Sequence, residues 1–269
     1  MVETGSDDQR WAGSEPRLVE ALRDEILAAP EGRITFARFM QRALTEPGLG
    51  YYATSADRPT REGDFLTAPE LHPLFGRCIG RFVASAWDHA GRPAPYRIHE
   101  YGAGRGTLRD SAVVASGPRV TWVRIDLPGR SDEHSGVADL VLANEYLDAL
   151  PVHRLLQGNR LQEAWVSWRD GWFVEDLAAP SSTALAEYLE ADGVELREGQ
   201  RAEVCLAAPV WIEQVAATLA PGGVLLVIDY GHDAAELYGP RRMAGSLLTY
   251  REHQVADDPF AAVGHTDIT

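Results

Sequence analysis

Three glycines and five carboxylates in this chain occupy positions where a ligand could meet them. Gly102, Gly104 and Gly106 alternate in "EYGAGRGTL" (100–108), after a short apolar run and before a helical pattern. Glycine lets a backbone turn left-handed and approach a ligand closely, and a helix start just beyond offers unpaired N–H groups. Glu100, Asp126, Glu145, Asp148 and Asp229 each lie at or just past the end of an apolar run that reads as a strand. In parallel α/β sheets ligands bind at the carboxyl ends of the strands, so the turn and the acids point to one site.

The spacing discriminates among nucleotides. A dinucleotide fingerprint, G-x-G-x-x-G/A, needs a small third residue for helix packing, and counted from Gly102 that slot holds Thr107. The order here is E-x-G-x-G-x-G, with Asp126 about twenty residues on, where an acid would accept both hydroxyls of a ribose. S-adenosylmethionine carries no phosphate and needs room for a sulfonium and a carboxylate, so it is the expected ligand of Glu100, Gly102, Gly104, Gly106 and Asp126. The chain contains no lysine, all 25 of its Lys and Arg residues being arginine. That excludes a Walker-A loop, a Schiff-base lysine and a pyridoxal-phosphate anchor. Eight histidines form no H-x-x-x-H, and Cys78 and Cys205 form no C-x-x-C, so no metal site is expected.

The elements that must hold these residues follow from periodicity. Leu18, Val19, Leu22, Ile26 and Leu27 give one apolar helical face, and Thr35 reads as the N-cap of a helix reaching Leu44. Gly76–Trp87 reads as a helix, Tyr96–Tyr101 as the first core strand, and Thr107–Ala115 as the helix after the glycine turn. Val120–Ile125, Leu140–Ala143 and Val224–Ile228 read as further strands, with a helix over Trp211–Leu219. Between Pro151 and the last helix, the turn signals Gly158-Asn159 and Asp170-Gly171 divide alternating segments, the pattern of an antiparallel meander.

At 269 residues and 45% hydrophobic, the chain can bury a sizeable core. The expected division is a disordered leader (1–14), an N-terminal helical and loop region (15–95), and the first part of a Rossmann-like cofactor domain (96–150). An inserted β meander serving as substrate cap (151–208) and the remainder of the Rossmann-like domain (209–269) complete it. A net charge of −15 argues against nucleic-acid binding. The longest apolar run is too short for a bilayer, the N-terminus has no signal-peptide pattern and the cysteines read as reduced, so the expected location is cytoplasmic.

Five stretches carry a resemblance. "GDFLTAPELHPLFG" (63–76), "EYGAGRGTL" (100–108), "ANEYLDALPV" (143–152), "IDYG" (228–231) and "GSLLTYREH" followed by "HTDIT" (245–269) occur in the order of the motifs of the MidA family. That family of class I methyltransferases includes the mitochondrial complex I assembly-factor arginine methyltransferase, and the resemblance covers about residues 33–269. It implies a Rossmann-like α/β fold with a seven-stranded sheet, S-adenosylmethionine as donor, and a protein arginine as acceptor. It also implies that the TAPE segment and the NE and DYG motifs surround the cleft, which adds Asp64 and Asn144 to the cofactor-binding candidates.

The sequence departs from the family in two places. Only "LPGRSDEHSGVA" (127–138) stands where the family has a helix and another strand, and the chain stops at Thr269 where the family continues to its last sheet strand. A sheet edge left open invites association, so a homodimer is one expectation. An arginine acceptor is cationic, with a pKa above about 12, and needs carboxylates that grip the guanidinium and accept its proton. Glu145, Asp148 and Asp229 are the catalytic candidates on that reading. A small-molecule O-methyltransferase, with His232 as base, and a degenerate, non-catalytic assembly or binding protein of the same fold are the alternatives.

Overall fold

The computed structural model describes residues 11–55, 68–116, 119–133, 136–251, 254–256 and 258–269. In chain order the early elements are α1 (Pro16–Ala28), β1 (Arg33–Thr35), α2 (Phe36–Thr45), α3 (Tyr51–Ser55), α4 (Ala68–Leu71) and α5 (Pro73–His89). Next come β2 (Tyr96–Tyr101), α6 (Thr107–Ser116), β3 (Val120–Ile125), β4 (Ala138–Asn144), β5 (His153–Gln157), β6 (Leu161–Arg169) and β7 (Trp172–Ala178). The last are α7 (Ala184–Ala191), β8 (Arg201–Val204), α8 (Ala207–Thr218), β9 (Leu219–Ile228), α9 (Ala234–Leu237), β10 (Thr249–Arg251), β11 (Gln254–Ala256) and β12 (Asp267–Ile268). Among the described residues, no helix is long and apolar enough to cross a membrane.

Two units divide the chain. The first draws on Met1–Ser55, Ala149–Ala208 and Gly231–Thr269, the second on Ala56–Asp148 and Pro209–Tyr230. The chain therefore leaves the parallel sheet at Tyr230, and the residues beyond it, placed with the Rossmann-like domain by the linear reading, group with the N-terminal helices and the meander.

In the first unit Leu18, Val19, Leu22 and Ile26 are fully buried along one face of α1. Leu27, assigned to that face from the sequence, is 60% exposed. Nine residues at about 100° each carry it half a turn away from Leu18. Thr35 caps α2, its hydroxyl accepting from the Arg38 amide at 3.1 Å. The meander is present: β6 pairs antiparallel with β5 and β1 along one edge and with β7 along the other. Asp170 and Gly171, both at positive φ (51° and 78°), make the two-residue hairpin between β6 and β7. Trp11 packs on Trp168 and Trp172 at 6.2 and 6.4 Å, and Ser14 is buried, so the segment expected to be a disordered leader is ordered from Trp11. Residues 1–10 of that leader lie outside the described residues.

The second unit is built on a four-stranded parallel sheet in the order β3-β2-β4-β9. Side chains alternate across it. Ile98, Leu140 and Leu142 face a layer made by α5 and α6, with Ile79, Val83, Leu108 and Ala112. Val141 and Ala143 face the other way, onto Trp211 and Val215 of α8. Where the family resemblance implied seven strands, this sheet has four among the described residues. Among the described residues of the crossover from edge strand β3 to β4, 126–133 and 136–137, there is no helix, and a parallel crossover needs only about a dozen residues.

Candidate active site

The carboxyl ends of β2, β3, β4 and β9 all lie on one side of the sheet, and the glycine turn leaves β2 there. Gly102, Gly104 and Gly106 all take left-handed backbone, at φ +65°, +51° and +78°. The turn is pinned by the Gly102 amide donating to the Ile125 carbonyl at 2.9 Å and the Gly106 amide donating to Ala103 at 2.8 Å. A Cβ on Gly102 would come within 2.9 Å of the Tyr146 ring, whereas a Cβ on Gly104 would meet nothing within 4 Å among the described residues. Space is therefore open above the middle of the turn.

Asp126 borders that space. Its Oδ2 accepts from the Gly104 amide at 2.6 Å and its Oδ1 from Leu127 at 2.7 Å. Ser131 ties the loop shut, its hydroxyl accepting from the Asp126 amide at 2.8 Å. Next to it Arg124 reaches Asp132 at 2.8 Å and holds that carboxyl down to about 2. These contacts brace the short 126–132 segment. Glu100, only 3% exposed, accepts from the Trp122 indole N–H at 2.6 Å. Burial pushes its carboxyl up to about 7, against the hydrogen bond from Trp122.

The second half of the site is the "NEYLD" corner after β4. Glu145 is held at φ +48°, a conformation non-glycine residues rarely take and one that costs about 1–2 kcal/mol. Its amide donates to the Ile228 carbonyl at 2.8 Å, tying the corner to the end of β9. Asp229 ties it again: one carboxylate oxygen accepts from the Leu147 and Asp148 amides at 3.0 and 3.3 Å. Burial raises the Glu145 carboxyl above its usual value, and the Asp148 and Asp229 charges raise it further. Hydrogen bonds from the Asn144 side chain and the Ala68 backbone oppose that rise. The buried Oδ1 of Asn144 has no hydrogen-bond partner among the described residues.

Of the residues predicted from the sequence, the structure brings Glu100, the three glycines and Asp126 together, and Asn144, Glu145, Asp148 and Asp229 together. Asp64 lies outside the described residues. His232 belongs to the other unit, where its ring faces Arg242 and Glu236. Sequence reasoning missed Trp122 and Tyr146. Trp122 is paired in register with Ile98, two positions before the glutamate it holds, and Tyr146 stacks edge-on with Tyr101 at 5.8 Å and tilts against Trp211 at 5.3 Å. A cavity of about 350 Å³ exists elsewhere, among His89, Tyr96, Asp139 and Gly222, but it lies at the amino ends of the strands, away from the glycine turn.

The residues present fit S-adenosylmethionine on three counts. Among the described residues, space is open over Gly104, a carboxylate stands beside it, and the Asn144 oxygen at the end of β4 has no partner. Gly104→Val is accordingly expected to weaken S-adenosylhomocysteine binding at least about tenfold, because branched carbon at a left-handed position would fill that space or push the turn aside. The cost in stability should be about 1–2 kcal/mol, leaving the chain folded. Titration calorimetry and a thermal melt check both, and unchanged affinity in the folded variant would make the turn purely structural.

Comparison with known proteins agrees with this geometry. Residues 114–269 match the family described as "putative S-adenosyl-L-methionine-dependent methyltransferase". The chain is 28% identical over 302 residues to the mouse mitochondrial protein arginine methyltransferase NDUFAF7, covering 88% of this chain and 64% of that one. With the Drosophila melanogaster homolog, also mitochondrial, identity is 27% over 314 residues, covering 94% and 67%. The chain thus spans about two thirds of the length of these curated relatives. A solved structure from Burkholderia thailandensis, described as a "likely methyl transferase" bound to S-adenosyl-homocysteine, superposes with a TM-score of 0.83. It is 33% identical, covering all of this chain and 76% of that one. The cytoplasmic location expected from the sequence is corrected here, since the curated relatives are named mitochondrial. Taken with the site geometry, the match over more than half the chain and the solved relative show that this chain belongs to the family of S-adenosyl-L-methionine-dependent methyltransferases.

Proposed function

We propose that this chain transfers a methyl group from S-adenosylmethionine to an arginine side chain of a protein. The observation that carries the acceptor reading is the carboxylate cluster after β4, where Glu145 is half-buried and its carboxyl is raised by burial and by Asp148 and Asp229. A cluster of acids that repel one another gains from a cation placed among them, and a guanidinium is planar, permanently charged and suited to a bidentate grip. The names of the curated relatives support the same acceptor.

The donor supplies an electrophilic methyl on a sulfonium, and the protein's residues supply position and proton handling. Gly102, Gly104 and Gly106 leave room for the donor, and Asp126 offers carboxylate lone pairs to ribose hydroxyls. Asn144 presents at the end of β4 an oxygen that has no partner among the described residues. Glu145 orients the guanidinium and takes its proton as the nitrogen is alkylated, and Asp148 adds negative charge. Asp229, whose oxygens accept from Leu147, Asp148 and Tyr230 amides, keeps the corner in shape. Holding acceptor and donor in line is the larger part of such a displacement.

Incubation of the protein with labelled S-adenosylmethionine and arginine-containing protein substrates tests the proposal, with mass spectrometry locating the methyl group. Label on arginine that disappears when that arginine becomes lysine is the expected result, and label confined to hydroxyl-bearing small molecules would replace the acceptor. Asp126→Asn should raise the donor dissociation constant about tenfold and leave turnover at saturating donor near wild type, because a ribose contact is equally present before and during transfer. A fall in turnover with unchanged donor affinity would remove Asp126 from the donor site.

A further inference from the structure

We propose that Trp122 is a positioning residue for the donor site: its indole N–H favours the anionic form of Glu100 at the foot of the glycine turn, and binding of the cationic donor is coupled to release of a proton from Glu100. The inference rests on the S-adenosylmethionine reading of the turn. Glu100 lies two residues before Gly102 in β2 and is 3% exposed, which is rare for a carboxylate without a dedicated partner. Its partner is one strand over: Trp122 on β3 donates Nε1–H to Oε2 at 2.6 Å, a bond to a charge that is stronger than a neutral one.

Among the described residues, the charged groups that act on Glu100 belong to the same corner. Arg109 from α6 and Arg124 from β3 favour the anion, Asp126 at the end of β3 disfavours it, and burial outweighs them all, leaving the carboxyl near 7. The group is thus partly protonated at neutral pH before anything binds. The donor brings an α-ammonium and a sulfonium, and S-adenosylhomocysteine retains the ammonium. Either cation near the turn favours the carboxylate, so the proton leaves as the ligand arrives. A donor site with an ionisation this close to neutrality makes cofactor affinity fall as pH falls. Trp122 sets where that fall occurs, because its N–H is the main hydrogen bond that lowers the Glu100 carboxyl.

Calorimetric titration with S-adenosylhomocysteine across pH 6 to 9 tests this on the whole chain. Wild type should bind more weakly below pH 7, approaching about tenfold per pH unit at the acid end. At pH 6.5, titrations in buffers of different ionisation enthalpy should show roughly half to one proton released per ligand. Glu100→Gln should abolish both effects. Trp122→Phe should move the acid limb to higher pH, weakening binding about threefold to tenfold at pH 7 while matching wild type at pH 9. A loss of affinity equal at every pH would make Trp122 merely structural and overturn the proposal, as would wild-type binding that neither varies with pH nor releases a proton. No wild-type binding at any pH would instead overturn the donor reading itself, and this inference with it. Should Trp122→Phe not fold, the Trp122 indole N–H resonance of wild type decides: it should titrate with a midpoint near 7 and be flat in Glu100→Gln, and a resonance that does not titrate in wild type overturns the proposal.

Discussion

Glu145→Gln is expected to lower methyl transfer at saturating donor by about 10²-fold or more while leaving S-adenosylhomocysteine affinity within about twofold of wild type. The amide preserves shape and hydrogen bonding at the end of β4 but can neither balance a guanidinium nor take its proton. Donor affinity should survive because Glu145 belongs to the acidic corner tied to Ile228, not to the turn that Asp126 braces. The pH dependence has a definite sign. The carboxyl is raised first by burial and then by Asp148 and Asp229, and the form that accepts a proton is the anion. Activity should therefore rise with pH through a value above that of an ordinary glutamate, and a bound guanidinium should pull that limb back toward lower pH. Steady-state rates at several pH values, beside calorimetry on the same variant, separate the two constants. Full activity in Glu145→Gln would take away the chemical basis of the arginine reading and bring a small-molecule acceptor forward.

Local signals made much of this site legible. The three glycines at alternate positions and the acid at the end of the next strand are consequences of strand–turn–helix geometry, and the structure puts the Asp126 carboxylate on the Gly104 amide. Thr35 was legible as a cap for the same reason, since a hydroxyl just before a helix has one good use. Trp122 was not legible, because its role depends on the parallel register that sets Trp122 beside Ile98 and so within reach of Glu100, and register between distant strands leaves no mark in a single sequence. Tyr146 was hidden for a related reason: the missing side chain of Gly102 makes room for its ring, a fit between residues just past the ends of two strands. The number of strands was read from family likeness, and the short 127–138 segment already signalled a departure: its described residues form no helix. The grouping of β1 with β6, on opposite sides of the Rossmann-like segment, likewise rests on non-local pairing.

The largest expected effect on stability comes from Gly80→Val. Gly76 and Gly80 are four residues apart on α5, hence on one face, and both meet α6. A Cβ on Gly80 would overlap the Ala112 carbonyl oxygen and stand 2.9 Å from the Ala115 Cβ, and the obstruction is backbone, which cannot swing aside. An ordinary exposed helical glycine would gain about 1 kcal/mol on becoming alanine. Here the overlap outweighs that gain, and valine adds two methyl groups that must force α5 and α6 apart, at the expense of the contacts of Ile79, Val83, Leu108 and Ala112 beneath them. A loss of about 3 kcal/mol or more is expected, in the range of severe overpacking. Gly91→Ala is the matched control: Gly91 sits at φ +79° with nothing within 4 Å of a Cβ among the described residues, so backbone strain of about 1–2 kcal/mol applies. Because α6 starts at Thr107, directly after the glycine turn, a displaced α6 carries the turn with it, and any folded fraction of Gly80→Val should bind S-adenosylhomocysteine more weakly than Gly91→Ala does. Urea unfolding of the two variants gives the first comparison and calorimetry the second; a Gly80→Val protein as stable as Gly91→Ala would mean that α5 and α6 do not pack this closely.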